Sequence, residues 1–149
     1  MSYRSMVAGV AAVSALLDEH VNAPPLVGVI VQSSMAVDRA EVLLQVGDSL
    51  ADVAEWARLL GSPVAMRVAE QFVEVSARAM LRRDGFLAPV RVWSHLDDVE
   101  LRALAVVAGL VFKAGVDVGS WVEIEAHVAV EAAAAAAADR PWFSGRAAS

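Results

Sequence analysis

The sequence predicts a single α+β domain: one largely antiparallel sheet of about four to five strands with four helices, in the order α-β-β-α-β-β(β)-α-α. Three observations carry this. The chain has 149 residues and no cysteine, which suits one self-sufficient core over residues 1–139 and a flexible tail over 140–149. Apolar residues recur at helical spacing in several segments but with a period of two over residues 64–93. Glycine and proline punctuate the boundaries between these patterns.

Met6, Val10, Val13 and Leu17 are spaced by four, three and four, so a first amphipathic helix is expected from Ser5 to Val21. Arg4 ahead of this apolar stretch invites a signal-peptide reading, but the stretch is weak for one. Asn22 and the Pro24-Pro25 pair end the helix. Leu26 to Gln32 is β-branched and apolar on both faces, the pattern of a central strand. Ala40 to Val46 reads as a second strand. Ser49 and Asp52 resemble a capping box, and Leu50, Val53, Ala57 and Leu60 form one helical stripe, flanked by Trp56, up to Gly61 and Pro63.

From Val64 onward, Val64, Met66, Val68, Val73, Val75, Ala77, Ala79 and Leu81 occupy one set of alternating positions. Asp84-Gly85 supplies a turn, and Phe86 to Trp93 completes a long hairpin with Phe86, Val90 and Val92 inward. Pro89 suggests that this last strand lies at an edge or carries a bulge. Asp97 and Asp98 open a helix expected to run to Ala114 and to close at Gly115; it is apolar nearly all round and so expected to be buried on more than one side. Residues 121–131 alternate like a strand, yet Ser120 and Glu123 form a capping box and seven consecutive alanines follow at 132–138. A helix from Trp121 to Asp139 is the favoured reading.

Composition bounds the function. Hydrophobic residues make up 58% of the chain and aromatics 6%, so the core is built of small side chains, and some of the surplus apolar surface suits burial in an oligomer. The net charge of −6 argues against general attraction to phosphate backbones or anionic membranes. The absence of cysteine excludes disulfides, thiol catalysis and thiolate metal sites, and fits a reducing cytoplasm. The apolar run from Ala103 to Phe112 is far short of the ~20 residues needed to span a membrane.

The sharpest candidate surface is the outer side of the hairpin. Alternation places Arg67, Arg78, Arg82 and Arg91 opposite the core set, with Trp93 on their side. Five arginines, Arg83 being the fifth, face three acids between residues 67 and 91, a cationic stretch within an acidic chain. Guanidinium groups beside an indole can stack on bases and pair with phosphates. Equally, such a side chain set can be a solvated sheet face.

Glu123, His127 and Glu131 share one face whether their segment is helix or strand, and their donor types are those of a divalent metal site, but no recognised ligand spacing is present. Ser94, His95, Asp97 and Asp98 are the residue types of a hydrolase triad, but neighbours on a strand end cannot reach triad geometry with one another. Strand end followed by helix capping is the simpler account. Lys113, the lone lysine, sits where a helix C-terminus favours a cation, and Tyr3, the lone tyrosine, lies near the terminus. No phosphate-binding glycine loop occurs. Trp142-Phe143 in the tail can dock a partner or fold back on the domain.

Two patches, Trp56-Ala57-Arg58-Leu59-Leu60-Gly61 and Val90-Arg91-Val92-Trp93-Ser94-His95-Leu96, resemble small uncharacterised α+β proteins of high-GC actinobacteria and their plasmids or phages. The resemblance spans about residues 26 to 96 and rests on short motifs. It implies a cytoplasmic accessory protein and carries over no functional residues.

The expectation is a non-enzymatic cytoplasmic interaction module that associates with itself or a protein partner, with no cofactor and no membrane. A nucleic-acid-associated regulator using Arg67, Arg78, Arg82, Arg91 and Trp93 is the alternative. A metal-assisted enzyme at Glu123, His127 and Glu131 is a second.

Overall fold

A computed structural model describes residues 3–33, 40–47, 49–83 and 86–140. Among these residues four helices and six strands follow one another as α1 (Tyr3–Glu19), β1 (Leu26–Ser33), β2 (Ala40–Val46), α2 (Ser49–Leu60), β3 (Val64–Val68), β4 (Val73–Arg83), β5 (Phe86–His95), α3 (Asp98–Ala108), β6 (Trp121–Ile124) and α4 (Ala126–Asp139). The strands form one sheet in the order β1-β2-β5-β4-β3-β6. All neighbours are antiparallel except β2 and β5, which run parallel from Val42↔Val90 to Gln45↔Trp93. The α+β class, the four helices and the predominance of antiparallel pairing match the sequence. The sheet is larger than expected and mixed.

Alternation along the strands builds a one-sided core. Val42, Leu44, Val46, Val64, Met66, Val68, Val73, Val75, Ala77, Val90 and Val92 are buried on one side of the sheet. Helices α1 and α2 lie on that side, and α2 carries α4, which in turn carries α3. Sandwiched in this way, α2 buries Leu50, Val53, Ala54, Trp56 and Ala57 completely, rather than along one stripe. Trp56 settles its indole N–H on Pro24 O at 3.2 Å, tying α2 to the α1–β1 connection. Gly9 permits a close approach of α1 to the sheet: a Cβ there would meet Ala40 Cβ at 2.7 Å and Val31 Cγ1 at 2.9 Å.

Five sequence expectations are corrected. Leu26–Ser33 is an edge strand, not a central one, and its apolar character leaves Val27, Val29 and Ile30 exposed. Pro89, by contrast, stands in a central strand; the parallel pairing with β2 begins one residue later at Val90, so the missing amide interrupts no pair of that register. Helix α3 ends at Ala108, because Gly109 adopts a left-handed conformation (φ 67°) and the Leu110 amide reaches back to Leu104 O. Its Val106 is 85% exposed, so α3 is buried on one side only. Finally, Trp121–Ile124 is a strand. Val122 and Ile124 extend the core beside Met66 and Val64, and this pairing outweighs the local helical signal; the helix starts only at Ala126.

Buried Glu100 ties the helical layers together. Its carboxylate accepts from Asp97 N–H at 2.9 Å, closing the capping box of α3, and from Leu50 N–H at 2.7 Å at the start of α2. Burial raises its pKa, outweighing the two amides. Asp97 is held low instead: burial opposes this, but the Glu100 amide and Arg140, at 2.7 Å, win. The expected Ser49 cap, the Asp84-Gly85 turn and the Phe86 side chain, together with Trp142-Phe143 of the tail, lie outside the described residues.

Candidate functional site

All helices of the described residues lie on one side, and among those residues the other side of the sheet carries none. The same alternation that fills the core sends Glu41, Leu43 and Gln45 of β2, Ala65 and Arg67 of β3, Glu74, Ser76, Arg78, Met80 and Arg82 of β4, Pro89, Arg91, Trp93 and His95 of β5, and Trp121 and Glu123 of β6 to the bare side. The predicted Arg67, Arg78, Arg82, Arg91 and Trp93 therefore do share one face.

They are not equivalent on it. Glu74, only 8% exposed, is held between Arg91 (Nη1 to Oε1, 3.1 Å) and Arg67 (Nη2 to Oε2, 3.7 Å). Cross-strand register explains this: Arg67 is paired with Glu74 on β4, and Glu74 with His95 on β5. Arg91 is half-buried as a result, while Arg67 remains largely open. Arg78 and Arg82 are exposed and make no ion pair among the described residues. Arg78 stands directly across from Arg91.

Aromatic rings border this group. Phe72 and His95 stack with ring centroids 3.8 Å apart, and Trp93 lies tilted 5.3 Å from His95. Trp93 is thus half-buried by its neighbours rather than offered as a free stacking platform. Its Nε1, like Arg91 Nε, is enclosed with no acceptor among the described residues. An open cleft of about 430 Å³ runs along the face between Glu41, Arg78, Met80, Pro89 and Arg91. A smaller one of about 200 Å³ lies on the other flank of Arg78, between Ser62, Ala65, Ser76 and Glu123. Sequence reasoning found the arginines but missed Glu41, Leu43 and Met80. Their place beside Arg78 and Arg91 follows only from the β2–β5 pairing, which no local signal announces.

The Glu123, His127 and Glu131 set is dispersed. Glu123 lies on β6, on the bare face, whereas His127 and Glu131 lie on α4. His127 Nδ1 pairs with Glu125 at 3.1 Å. No metal-holding group of three acids or histidines occurs among the described residues. Ser94 is buried in β5, exposed His95 stacks on Phe72, and Asp97 caps α3, so the capping account of that run holds for Asp97. Among the described residues, no helix is long and apolar enough to cross a membrane. No family model, curated protein or solved structure matches the chain.

Proposed function

We propose that this protein is a non-enzymatic interaction module that associates with itself through the free edge of β1. The supporting observation is the edge itself. Strand β1 spans eight residues, LVGVIVQS, without a charge or a proline, and exposes Val27 (65%), Val29 (47%) and Ile30 (49%). Edge strands are ordinarily protected by lysine, proline or a bulge. The bulge here lies at the start, between Leu26 and Gly28, and leaves Val29–Ser33 in regular register with β2. Among the described residues, the outer edge of β1 pairs with no other strand and presents its amides and carbonyls outward. Antiparallel pairing with a second β1 satisfies them, covers the three apolar side chains in both copies and brings no like charges together.

Light scattering across a concentration series tests this. The wild type is expected as a dimer that Ile30→Lys converts to a folded monomer. A wild type that stays monomeric at every concentration removes the proposal. A nucleic-acid-associated regulator is the second reading, favoured by Arg78 and Arg82, which lack ion pairs among the described residues. It requires salt-sensitive retention on DNA or RNA that Arg78→Glu weakens.

A further inference from the structure

We infer that the cross-strand pair Arg78 and Arg91 is a receptor for a carboxylate carried on an extended, partly apolar segment of a partner protein. Two strands separate Arg78 from β1, so this reading stands apart from self-association at the edge.

The first argument is the register. Directly opposed residues in an antiparallel pair bring their Cβ atoms within about 5 Å, and like charges so placed are destabilising. Arg78↔Arg91 is such a pair. The surroundings compensate it only in part. Arg91 shares Glu74 with Arg67, so two guanidinium groups use one carboxylate. Arg78 has no anionic partner among the described residues. Glu41, across the cleft, accepts from Gln32 Nε2 at 3.4 Å. Two guanidinium groups thus share one carboxylate while the third, Arg78, has none among the described residues, and a second carboxylate arriving between Arg78 and Arg91 relieves the repulsion. A guanidinium fork matches a carboxylate in two-point geometry.

The second argument is the shape and composition of the cleft. The two arginines line an open trough of about 430 Å³, with Met80 and Pro89 beside them. Leu43, paired with Arg91 on the β2 side, is itself buried and backs that arginine rather than lining the trough. Met80 is 51% exposed, an unbranched side chain able to adapt to varied apolar neighbours. A peptide with an acidic residue between apolar ones meets a matching charge and matching surface. A phosphodiester backbone does not, because Glu41 and Glu123 stand on the same face, one on each flank of Arg78, and would lie against its successive phosphates. The overall charge of −6 opposes the approach of a polyanion as well.

Calorimetric titration of the full chain tests this with four probes: a blocked Val-Glu-Val-Glu-Val peptide, its Gln counterpart, inorganic phosphate and a dT oligonucleotide. The Glu peptide is expected to bind, with the Gln peptide at least about tenfold weaker. Arg78→Gln is expected to weaken the Glu peptide by a similar factor. The same variant should raise the thermal midpoint of the free protein by a few degrees, since it removes the repulsion; a merely structural Arg78 would lower it. Absence of peptide binding, equal binding of the Gln peptide, affinity unchanged in Arg78→Gln or a lowered midpoint each overturn the assignment. Tighter binding of phosphate or of the oligonucleotide than of the Glu peptide also overturns it, and reassigns the face to phosphate.

Discussion

The covered and bare sides of the sheet are made by alternate residues of the same strands, yet they differ in nearly every physical respect. Leu44 and Met66 point toward the helices and are completely buried, while Met80 and Arg67 on the other side are about half exposed or more. Each part of the molecule holds one buried glutamate, and the two are stabilised differently. Glu100, among the helices, is satisfied by backbone amides at the starts of α2 and α3. Glu74, on the bare side, is satisfied by two arginine side chains, one of them largely solvated. Backbone donors are fixed by the fold itself, whereas guanidinium groups on long stems can rearrange when something binds. Fixed backbone donors thus hold the buried carboxylate of the covered side, and movable side-chain donors hold that of the bare side.

The sharpest way to break this comparison is to cut into both sides equally. Leu44→Ala should cost about 2–5 kcal/mol in urea unfolding, the usual range for a fully buried leucine. Met80→Ala should stay within about 0.5 kcal/mol. A large loss at Met80 would mean that the bare side is packed after all.

The two glutamates sharpen it further. Glu100→Ala leaves two buried amides without an acceptor and should cost about 2–3 kcal/mol. Glu74→Ala should cost about 1 kcal/mol, because water reaches Arg67 and in part Arg91. The reverse order in urea midpoints would show the arginine cluster to be the more rigid of the two.

The smallest expected effect concerns pH. The carboxyl of Asp97 is held below its ordinary range, so its contribution is present above the unfolded-state value and is lost as pH falls through the lowered one. Asp97→Asn keeps a capping side chain but not the charge. Wild type should be the more stable at neutral pH, and the gap should close in acid. A gap independent of pH would assign the role of Asp97 to capping alone. Glu100 works the other way. Its raised pKa means that stability is lost as pH rises through that value, so Glu100→Gln should fall further behind wild type in acid than at neutral pH.

How much of this was legible beforehand follows from the range of each interaction. Residues 40–46, 49–60 and 64–68 were readable almost to the residue, because alternation, a helical stripe and the Gly61-Pro63 stop are written within a few positions of one another. The grouping of Arg67, Arg78, Arg82, Arg91 and Trp93 on one side was likewise a consequence of a period of two. The clamp on Glu74 was not legible, since it needs the offset of three strands.

Local sequence by itself determined the strand periods, the Asp97 cap of α3, the Gly61 stop of α2 and which side chains share a strand face, because these depend on backbone geometry repeated over two to four residues. Only the tertiary structure decided that apolar β1 lies at an edge, that Pro89 stands in a central strand, that residues 121–124 pair with β3 and that the four helices of the described residues gather on one side. The reason is that strand order is set by contacts between segments distant in the chain, and a strand's own residues carry no record of which neighbours it will have.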